Sequence, residues 1–406
     1  MTDAQIFAGL GLIVLLALLC QVAASRLRLP AILLYLPVGF AAGNLTTVVD
    51  PNAIFGSAFS PLVNLAVAVV VFDAGLELVF GEIEHPHHHR VVRRLLFGGV
   101  PFTWAGAGVL AWLLLGLSWQ MAVMLGAILI VSGPTVAAPL LSAARPGARV
   151  TAILSWEATI IDPVGALVGV LVFQSLLAGT GPHALGVGQF GLRLLFGAAM
   201  GAVGVGVLWL LLRGLRVSGY LAADAILATV VGMAALSDAV RADTGLVTAL
   251  VIGVALANVP GFRVEETRQF REAVIQMVIG LLFVSIAATV TASSLTAVLW
   301  PTLALVAGLV LLVRPSLAAL ATLGTSLSRA ERVFIGAMDP RGIIAAVTAA
   351  SFSASLGAAG VAGAEKLLPV TFLVIVGTVV VYGLSAVPLA RGLGLTAAEA
   401  EPADRQ

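Results

Sequence analysis

Charged residues and cysteine are both scarce in this chain. Lysine, arginine, aspartate and glutamate make up 10% of its 406 residues, whereas a soluble globular domain carries about 25%. Because 60% of the residues are hydrophobic, the composition excludes a water-soluble fold and predicts a chain that lies in the lipid bilayer. Cys20 is the only cysteine, which excludes an internal disulfide framework and any CxxC metal or redox site.

Several motifs are also absent, and each absence excludes a class of function. The net charge of +1 says nothing about nucleic acid, but the chain has no basic helix and no alternation of basic and aromatic residues, so we expect no nucleic-acid partner. No phosphate-binding glycine motif follows an aqueous strand, and no Ser/His/Asp arrangement occurs inside the apolar runs. We therefore expect neither an enzyme nor a bound cofactor. The first twenty residues lack a basic n-region and a cleavage site, so we expect them to remain as the first helix.

The chain does contain a succession of apolar runs, each long enough to cross a membrane, which takes about 17–25 residues. They number thirteen and predict an all-α polytopic membrane protein, with residues 1–406 forming a single membrane transport domain. The spans are 6–25, 29–45, 61–81, 96–116, 119–142, 150–177, 187–212, 218–239, 244–259, 270–293, 295–313, 330–357 and 367–390.

The distribution of basic residues gives the orientation of these spans. With thirteen spans, most arginines fall in loops on one side, Arg271 and Arg314 among them, and only Arg241 and Lys366 fall clearly on the other side. Because cytoplasmic loops carry an excess of Lys and Arg, we expect a multi-pass protein of the plasma (inner) membrane. Its N-terminus is then extracytoplasmic and its C-terminus cytoplasmic.

Two of the spans are interrupted near their middle. Span five contains VSGPTVAAP, with Gly133 and Pro134, and span twelve contains AMDPRGIIAA, with Asp339 and Pro340. Proline removes a backbone donor and leaves a carbonyl one turn earlier without its partner. At membrane depth such a break is tolerated where the backbone is buried in protein or lines a cavity.

The two breaks lie seven spans apart, at corresponding places in two halves of the chain. This pattern is typical of an inverted-repeat transporter that binds its substrate near the membrane midplane. Spans one to six (6–177) would form the first repeat and spans eight to thirteen (218–390) the second. Residues 187–212 would be a linker helix, and 391–406 a cytoplasmic tail.

A few charged residues lie inside the spans, where an unneutralised charge is costly. Arg341 is the only cation deep inside a predicted span. It cannot lose its proton, and it needs a carboxylate partner, which we assign to Glu157. Asp162 and Asp73 then remain as unpaired carboxylates, the groups that could hold either H⁺ or a monovalent cation. A second acid, Glu77, follows Asp73 by one helical turn and is more often structural at such a position.

Oxygen atoms from the break in span five could complete the coordination shell of a hard cation at these carboxylates, and Ser132 and Thr135 are the candidate hydroxyls. The histidine-rich segment EHPHHH (84–89) is more typical of a solvated loop than of a metal site or pH sensor. Repeated small residues such as GAVGVG (201–206) indicate close helix packing.

At these residues the chain resembles the monovalent cation/proton antiporter family, and specifically its NhaP-type, sodium/proton-exchanger branch. The resemblance covers nearly the whole length and rests on several motifs in the family's order. These are LPAILLYLPVGFAAGN, FDAGLEL, GPTVAAPLL, WEATIIDPVGALVGVLVF, GLVTALVIGVALAN and DPRGIIAAV. No single motif would be specific, but together they are.

The resemblance implies roles for the residues that match the family's motifs. Asp162 matches the essential ion- and proton-binding aspartate, and Asp73 matches an acidic residue that contributes to the cation site. Glu157 and Arg341 match a Glu–Arg pair that joins span six to the second broken helix, and Ser132 matches the threonine of the first break. The resemblance also implies a homodimer in which a core domain moves against a dimerisation domain.

Three positions depart from the family's pattern. Ile161 stands where relatives carry Asn or Asp, Gly133 where many carry Asp, and Ala158 where some carry a hydroxyl. Because the site has fewer oxygen ligands, K⁺ is a candidate for the transported ion beside Na⁺ and Li⁺. A single exchanging aspartate favours the exchange of one cation for one proton. A passive cation channel and a solute symporter on the same scaffold are the alternative functions.

Overall fold

The structure, a computed structural model, describes residues 1–27, 31–76, 89–177, 187–215, 217, 220–241, 244–260, 262 and 268–395. Within these ranges the chain is helical and contains no strand, as the composition predicted; one isolated bridge joins Ser132 and Arg341. Glu77, the segment 84–88 and the last residues of the tail lie outside them.

The helices follow one another along the chain with short connections. They are α1 (Asp3–Leu27), α2 (Ile32–Leu45), α3 (Pro51–Phe55), α4 (Phe59–Leu76), α5 (His89–Phe97), α6 (Gly99–Leu115), α7 (Trp119–Ile128), α8 (Pro134–Ala144), α9 (Ala148–Leu177), α10 (Val187–Trp209), α11 (Tyr220–Val240), α12 (Gly245–Asn258), α13 (Arg268–Ala288), α14 (Ala292–Gly308), α15 (Arg314–Thr322), α16 (Arg329–Gly336), α17 (Ile343–Ala358) and α18 (Leu367–Gly392).

Each predicted span overlaps one of these helices or a pair of shorter ones. By length and composition, six helices of the described residues could each cross a membrane, or up to eight if two bent pairs count as one span each. Several others, such as α2 and α12 with 14 residues each, are shorter than a full crossing. The protein is therefore a multi-helix membrane protein, while the count of thirteen crossings stays a prediction.

Both predicted interruptions are present. The first broken span consists of α7, which ends at Ile128, and α8, which begins at Pro134. The second consists of α16, which ends at Gly336, and α17, which begins at Ile343. Pro134 occupies the first turn of α8, where its missing N–H costs nothing.

The helix of span eleven differs from its predicted extent. The predicted span was 295–313, but the helix runs from Ala292 to Thr322. It continues through a π-helical turn, Leu309–Val313, and then through Arg314–Thr322, so that Pro315 lies inside the longer helix. Arg314 thereby lies within a 31-residue helix instead of in a loop.

Small residues allow close helix crossings around the centre of the bundle. A Cβ added to Gly43 of α2 would lie 2.2 Å from the carbonyl oxygen of Ala288 on α13. In the same way, a Cβ on Gly253 of α12 would lie 2.2 Å from the carbonyl oxygen of Phe72 on α4. Backbone contact of this kind is how membrane helices associate when lipid removes the hydrophobic drive between them.

Large apolar side chains cover the outside of the bundle. Trp300, Leu384 and Leu113 are 77%, 73% and 64% exposed, an arrangement that a water-soluble protein of this size would not tolerate. The polar side chains discussed below lie inside instead.

Candidate ion-binding site at the crossed helix breaks

The two breaks cross each other in direct backbone contact. Ser132 and Arg341 form the isolated antiparallel bridge. A Cβ added to Gly342 would lie 2.4 Å from the Cα of Gly133 and 2.7 Å from its nitrogen. Because no side chain fits between the backbones at this point, glycine is required at position 342 for the crossing to form.

Arg341 binds the first broken helix at the point where its hydrogen bonding is interrupted. In a continuous helix the carbonyl of Ile130 would accept from the N–H of residue 134, which is a proline and has none. The Arg341 Nη1 donates to this oxygen at 3.1 Å, and the Arg341 backbone N–H donates to Thr378 Oγ1 of α18 at 3.3 Å. The guanidinium of one broken helix thus satisfies the carbonyl left by proline in the other.

Arg314 plays the equivalent part for the second broken helix. Its Nε donates to the carbonyl of Ile335, near the C-terminal end of α16, at 3.0 Å. Each break therefore has a buried guanidinium at the end of its first half-helix, where the helix dipole is negative.

The predicted pairing of Glu157 with Arg341 is wrong. Glu157 is 2% exposed and accepts from both terminal nitrogens of Arg314, with Nη2 at 2.8 Å from Oε2. Arg341 instead pairs with Asp339, at 2.8 Å between Nη2 and Oδ2. The prediction failed because it treated Arg341 as the only deeply buried cation, whereas Arg314 is equally buried at 2% exposed.

Asp162 lies on α9 beside the first break. It is 2% exposed, and it precedes Gly165 by one helical turn, so both lie on the same side of α9. A Cβ on Gly165 would lie 3.2 Å from the backbone nitrogen of Val131, inside the break. Glu157, five residues before Asp162, points about 140° away, toward α15. The two carboxylates of this segment therefore have different surroundings.

The other predicted oxygen ligands are at the break itself. Ser132 is buried, at 5% exposed, and takes part in the bridge to Arg341. Thr135 is the second residue of α8. Next to Asp162 on α9, Ile161 is 5% exposed and Ala158 2% exposed. Both positions are buried and apolar, so neither side chain offers an oxygen near Asp162.

Asp73 differs from its prediction as an unpaired carboxylate. It lies on α4 with its side chain 26% exposed, and its Oδ1 is 3.5 Å from the Nε of Arg271 on α13, whose side chain is 8% exposed. Sequence reasoning placed Arg271 in a loop at the start of span ten. The helix in fact begins at Arg268, so that Arg271 reaches the interior after one turn.

Three functional side chains were therefore missed or misjudged: Arg271, Arg314 and the carboxylate of Asp339. One signal could have found them. A buried arginine needs a buried acid, and the spans contained more acids than the single arginine assigned to them. The surplus indicated that arginines at the edges of apolar runs belong inside.

The charges of this interior can be counted over the described residues. Three guanidinium groups lie within 3.5 Å of a carboxylate, in the pairs Arg271–Asp73, Arg314–Glu157 and Arg341–Asp339. Each pair is neutral.

Comparison with known proteins agrees with the fold and the motifs. The family model described as the transmembrane sodium/hydrogen exchanger matches residues 11–392. The K(+)/H(+) antiporter NhaP2 of Shewanella oneidensis is 26% identical over 399 residues, which are 94% of this chain. The chain spans 66% of the length of that relative.

Solved structures of low sequence identity share the fold. The sodium proton antiporter MjNhaP1 of Methanocaldococcus jannaschii at pH 8 superimposes with a TM-score of 0.79 at 20% identity, covering 97% of this chain and 99% of that one. An electron-microscopy map of MjNhaP1 gives a TM-score of 0.74 at 18% identity. The match to the family model over almost the entire chain identifies this protein as a member of the sodium/hydrogen exchanger family.

Proposed function

We propose that this protein exchanges a monovalent cation, Na⁺, K⁺ or Li⁺, for H⁺ across the membrane. The observation that supports this most directly is the position of Asp162. This carboxylate residue is buried on α9, one turn before Gly165, which lies close to Val131 in the first break, where the backbones of the two broken helices cross. In this proposal the cation and the proton compete for that carboxylate, and either one neutralises its charge.

The competition follows from the charge of the site. A carboxylate at membrane depth is stable when it is protonated or when a cation lies beside it. Since either occupant removes the same single charge, binding of one displaces the other, and 1:1 exchange follows for one aspartate. Asp73 is the second acidic group of the proposed site, with Ser132 and Thr135 as oxygen ligands.

Alternating access needs two related halves, and the packing supports the proposed inverted repeats (6–177 and 218–390). The segments GFAAGN of α2 and GVALAN of α12 align with one another. Their asparagines make the same bond, from Asn44 Nδ2 to the carbonyl of Phe40 at 2.9 Å and from Asn258 Nδ2 to that of Val254 at 2.8 Å.

The partner helices of these two segments are exchanged between the halves. Helix α2 of the first half packs on α13 of the second, whereas α12 of the second packs on α4 of the first, both through glycine. A two-fold relation between spans one to six and eight to thirteen accounts for this exchange.

The choice of ion follows from the oxygen count. Ile161, Ala158 and Gly133 supply no side-chain oxygen, and a site with few charged ligands suits a weakly hydrated ion such as K⁺ as well as Na⁺. The curated relatives are named K(+)/H(+) antiporters and the solved neighbour a sodium proton antiporter. The transport assay therefore has to include both Na⁺ and K⁺.

The proposal also covers the assembly of the protein and its orientation in the membrane. We propose a homodimer in the plasma (inner) membrane, with the N-terminus outside and the C-terminus in the cytoplasm. Arg149 and Arg332 lie on the side proposed as cytoplasmic, together with the α15–α16 turn that they bind.

The alternative functions receive less support from the charges. A symporter of anionic solutes needs a cation for its substrate, yet the three buried guanidinium groups of the described interior each lie beside a carboxylate. A passive channel usually presents rings of repeated charge or carbonyls, whereas this site has single charges from different helices.

The test is transport in reconstituted vesicles. Vesicles with an acidic interior and an internal pH dye receive Na⁺, K⁺, Li⁺ or choline outside, and we expect alkalinisation with at least one metal cation but none with choline. Asp162→Asn should abolish it. The matched control is Asp224→Asn, the same change at an exposed position of α11, which should transport as the wild type does.

Two results would contradict the proposal. If Asp162→Asn exchanges ions at the wild-type rate, Asp162 is not the exchanging group. If isotopic Na⁺ or K⁺ enters in response to membrane potential alone, with no proton counterflow, the protein is a channel. Repeating the exchange assay at clamped potentials determines whether it is electroneutral.

A further inference from the structure

A groove on the surface of the bundle lies between the α5–α6 bend and the end of α15. Its volume is about 570 Å³, within the range of small-molecule sites. Aromatic and aliphatic side chains and two arginines share its lining: Phe97, Phe102, Leu317, Leu320, Arg93 and Arg94. None of these residues belongs to the proposed ion site.

The groove opens to the surroundings of the protein at the end of a membrane-embedded helix. Phe97 and Leu320 are 78% and 53% exposed. Helix α5 meets the apolar helix α6 at an angle of 43°. It buries Val91 and Leu95 completely and leaves Arg93 exposed. A short helix with one apolar and one basic face, bent away from a span, is typical of the membrane–water interface.

In the described part of the chain, the basic residues around this groove bind neutral acceptors and not acids. Arg94 Nη1 donates to the carbonyl of Leu323, Arg149 Nη2 to Ser326 Oγ at 2.7 Å, and Arg332 Nη2 to the carbonyl of Thr325 at 2.8 Å. All three acceptors are neutral oxygens on the α15–α16 turn. Within the described residues, none of these arginines, nor Arg93, forms an ion pair.

Glu331 is the only acid in α5, α15, α16 and the α15–α16 turn, and it is already engaged. Glu331 closes a capping box at the start of α16, in which its Oε2 accepts from the Ser328 N–H at 2.7 Å. Over the described residues, the groove therefore combines an apolar wall with arginines that form no ion pair, in a position where lipid headgroups and acyl chains meet.

We propose that this groove binds an anionic phospholipid, with its phosphate at Arg93 and Arg94 and an acyl chain along Phe102, Leu317 and Leu320. Guanidinium groups bind phosphate through paired, charge-assisted hydrogen bonds. Basic residues at the membrane surface attract anionic headgroups. Because one wall of the groove is apolar, binding there also needs an acyl chain, which inorganic phosphate lacks.

A second groove, along α6 from Pro101 to Trp112 and beside α7, provides an internal comparison. Its volume is about 460 Å³, and it is lined by apolar residues that include Trp104, Trp112 and Trp119, with no charged side chain in its lining. Tryptophans of this kind are typical of the interface as well. We expect that groove to contact lipid without selecting the headgroup.

The test measures lipid retention by the full chain in detergent. Native mass spectrometry counts the bound molecules of phosphatidylglycerol and of phosphatidylcholine with identical acyl chains. We expect the wild type to retain phosphatidylglycerol preferentially and Arg93→Gln to bind it about fivefold more weakly. Arg213→Gln, a change at an exposed arginine of the α10 end outside the groove, is the matched control and should bind as the wild type does.

Two further arms separate a lipid from a free phosphate and from a folding defect. Leu320→Ser should weaken retention of phosphatidylglycerol, and millimolar inorganic phosphate should not displace the lipid. The melting temperature of lipid-free Arg93→Gln should equal that of the wild type. Equal retention of the two lipids, an equal loss in Arg213→Gln, or displacement by inorganic phosphate would each overturn the proposal.

Discussion

Replacing Glu157 with glutamine removes the negative charge of the Glu157–Arg314 pair and keeps the size of the side chain. The guanidinium of Arg314 is 2% exposed, so water cannot replace the lost carboxylate. Removing one partner of such a buried pair costs about 3–5 kcal/mol. Because the glutamine oxygen can still accept one hydrogen bond, we expect the lower end, about 3 kcal/mol.

The single cysteine provides the assay. Cys20 on α1 is 4% exposed, so a thiol-reactive fluorogenic dye reports its exposure as the protein unfolds in detergent. A loss of 1 kcal/mol lowers the melting temperature by about 2–4 °C in domains of 150–250 residues. For this larger chain we expect a decrease of about 6 °C for Glu157→Gln. Glu365→Gln, the same change at an exposed residue, should leave the melting temperature unchanged.

Double substitutions determine which arginine is the partner. Arg314→Gln combined with Glu157→Gln removes both charges and should recover part of the lost stability, because no unpaired charge remains. Recovery will be incomplete, since Arg314 also donates to the carbonyl of Ile335. Arg341→Gln combined with Glu157→Gln should recover nothing. Recovery in the Arg341 double variant, or no coupling between residues 157 and 314, would refute the pairing.

Three further predictions follow from the packing and charges of the site. Gly342→Ala should prevent the breaks from crossing, since its Cβ would lie 2.4 Å from the Gly133 Cα. Size-exclusion chromatography should then show loss of the folded protein. The control Gly357→Ala, with open space around it, should behave as the wild type. Arg341→Lys should lower the transport rate and reduce the stability of the protein by about 1–3 kcal/mol. The reason is that one ammonium cannot reproduce the guanidinium's bonds to both Asp339 and the Ile130 carbonyl. Vesicle and melting assays measure the two effects, and a variant with unchanged transport and stability would contradict the role of Arg341 in joining the two breaks. Asp73→Asn should raise the KM for the cation in the vesicle assay, and an unchanged KM would limit Asp73 to its pair with Arg271.

Much of the architecture was predictable because membrane helices follow simple local rules. Apolar runs of sufficient length become helices, since backbone groups in lipid must bond within their own segment. Proline removes a backbone donor, and in combination with Gly133 at Pro134 and with Asp339 at Pro340 it marked the two breaks. Proline alone does not, because Pro37, Pro139, Pro301 and Pro388 lie inside helices that continue past them. The directions of Glu157 and Asp162 likewise follow from the turn of one helix.

The partners of the buried charges depended on the tertiary structure. Helical periodicity gives the direction of Glu157 but not which helix packs on that side, and Arg314 lies 157 residues away along the chain. Sequence analysis placed Arg271 and Arg314 in loops, whereas a helix start at Arg268 and a π-helical turn before Arg314 bring them inside. An ion pair depends on distances between helices, and in this protein those distances are set by the crossing of two broken helices and by glycine contacts far apart in the sequence.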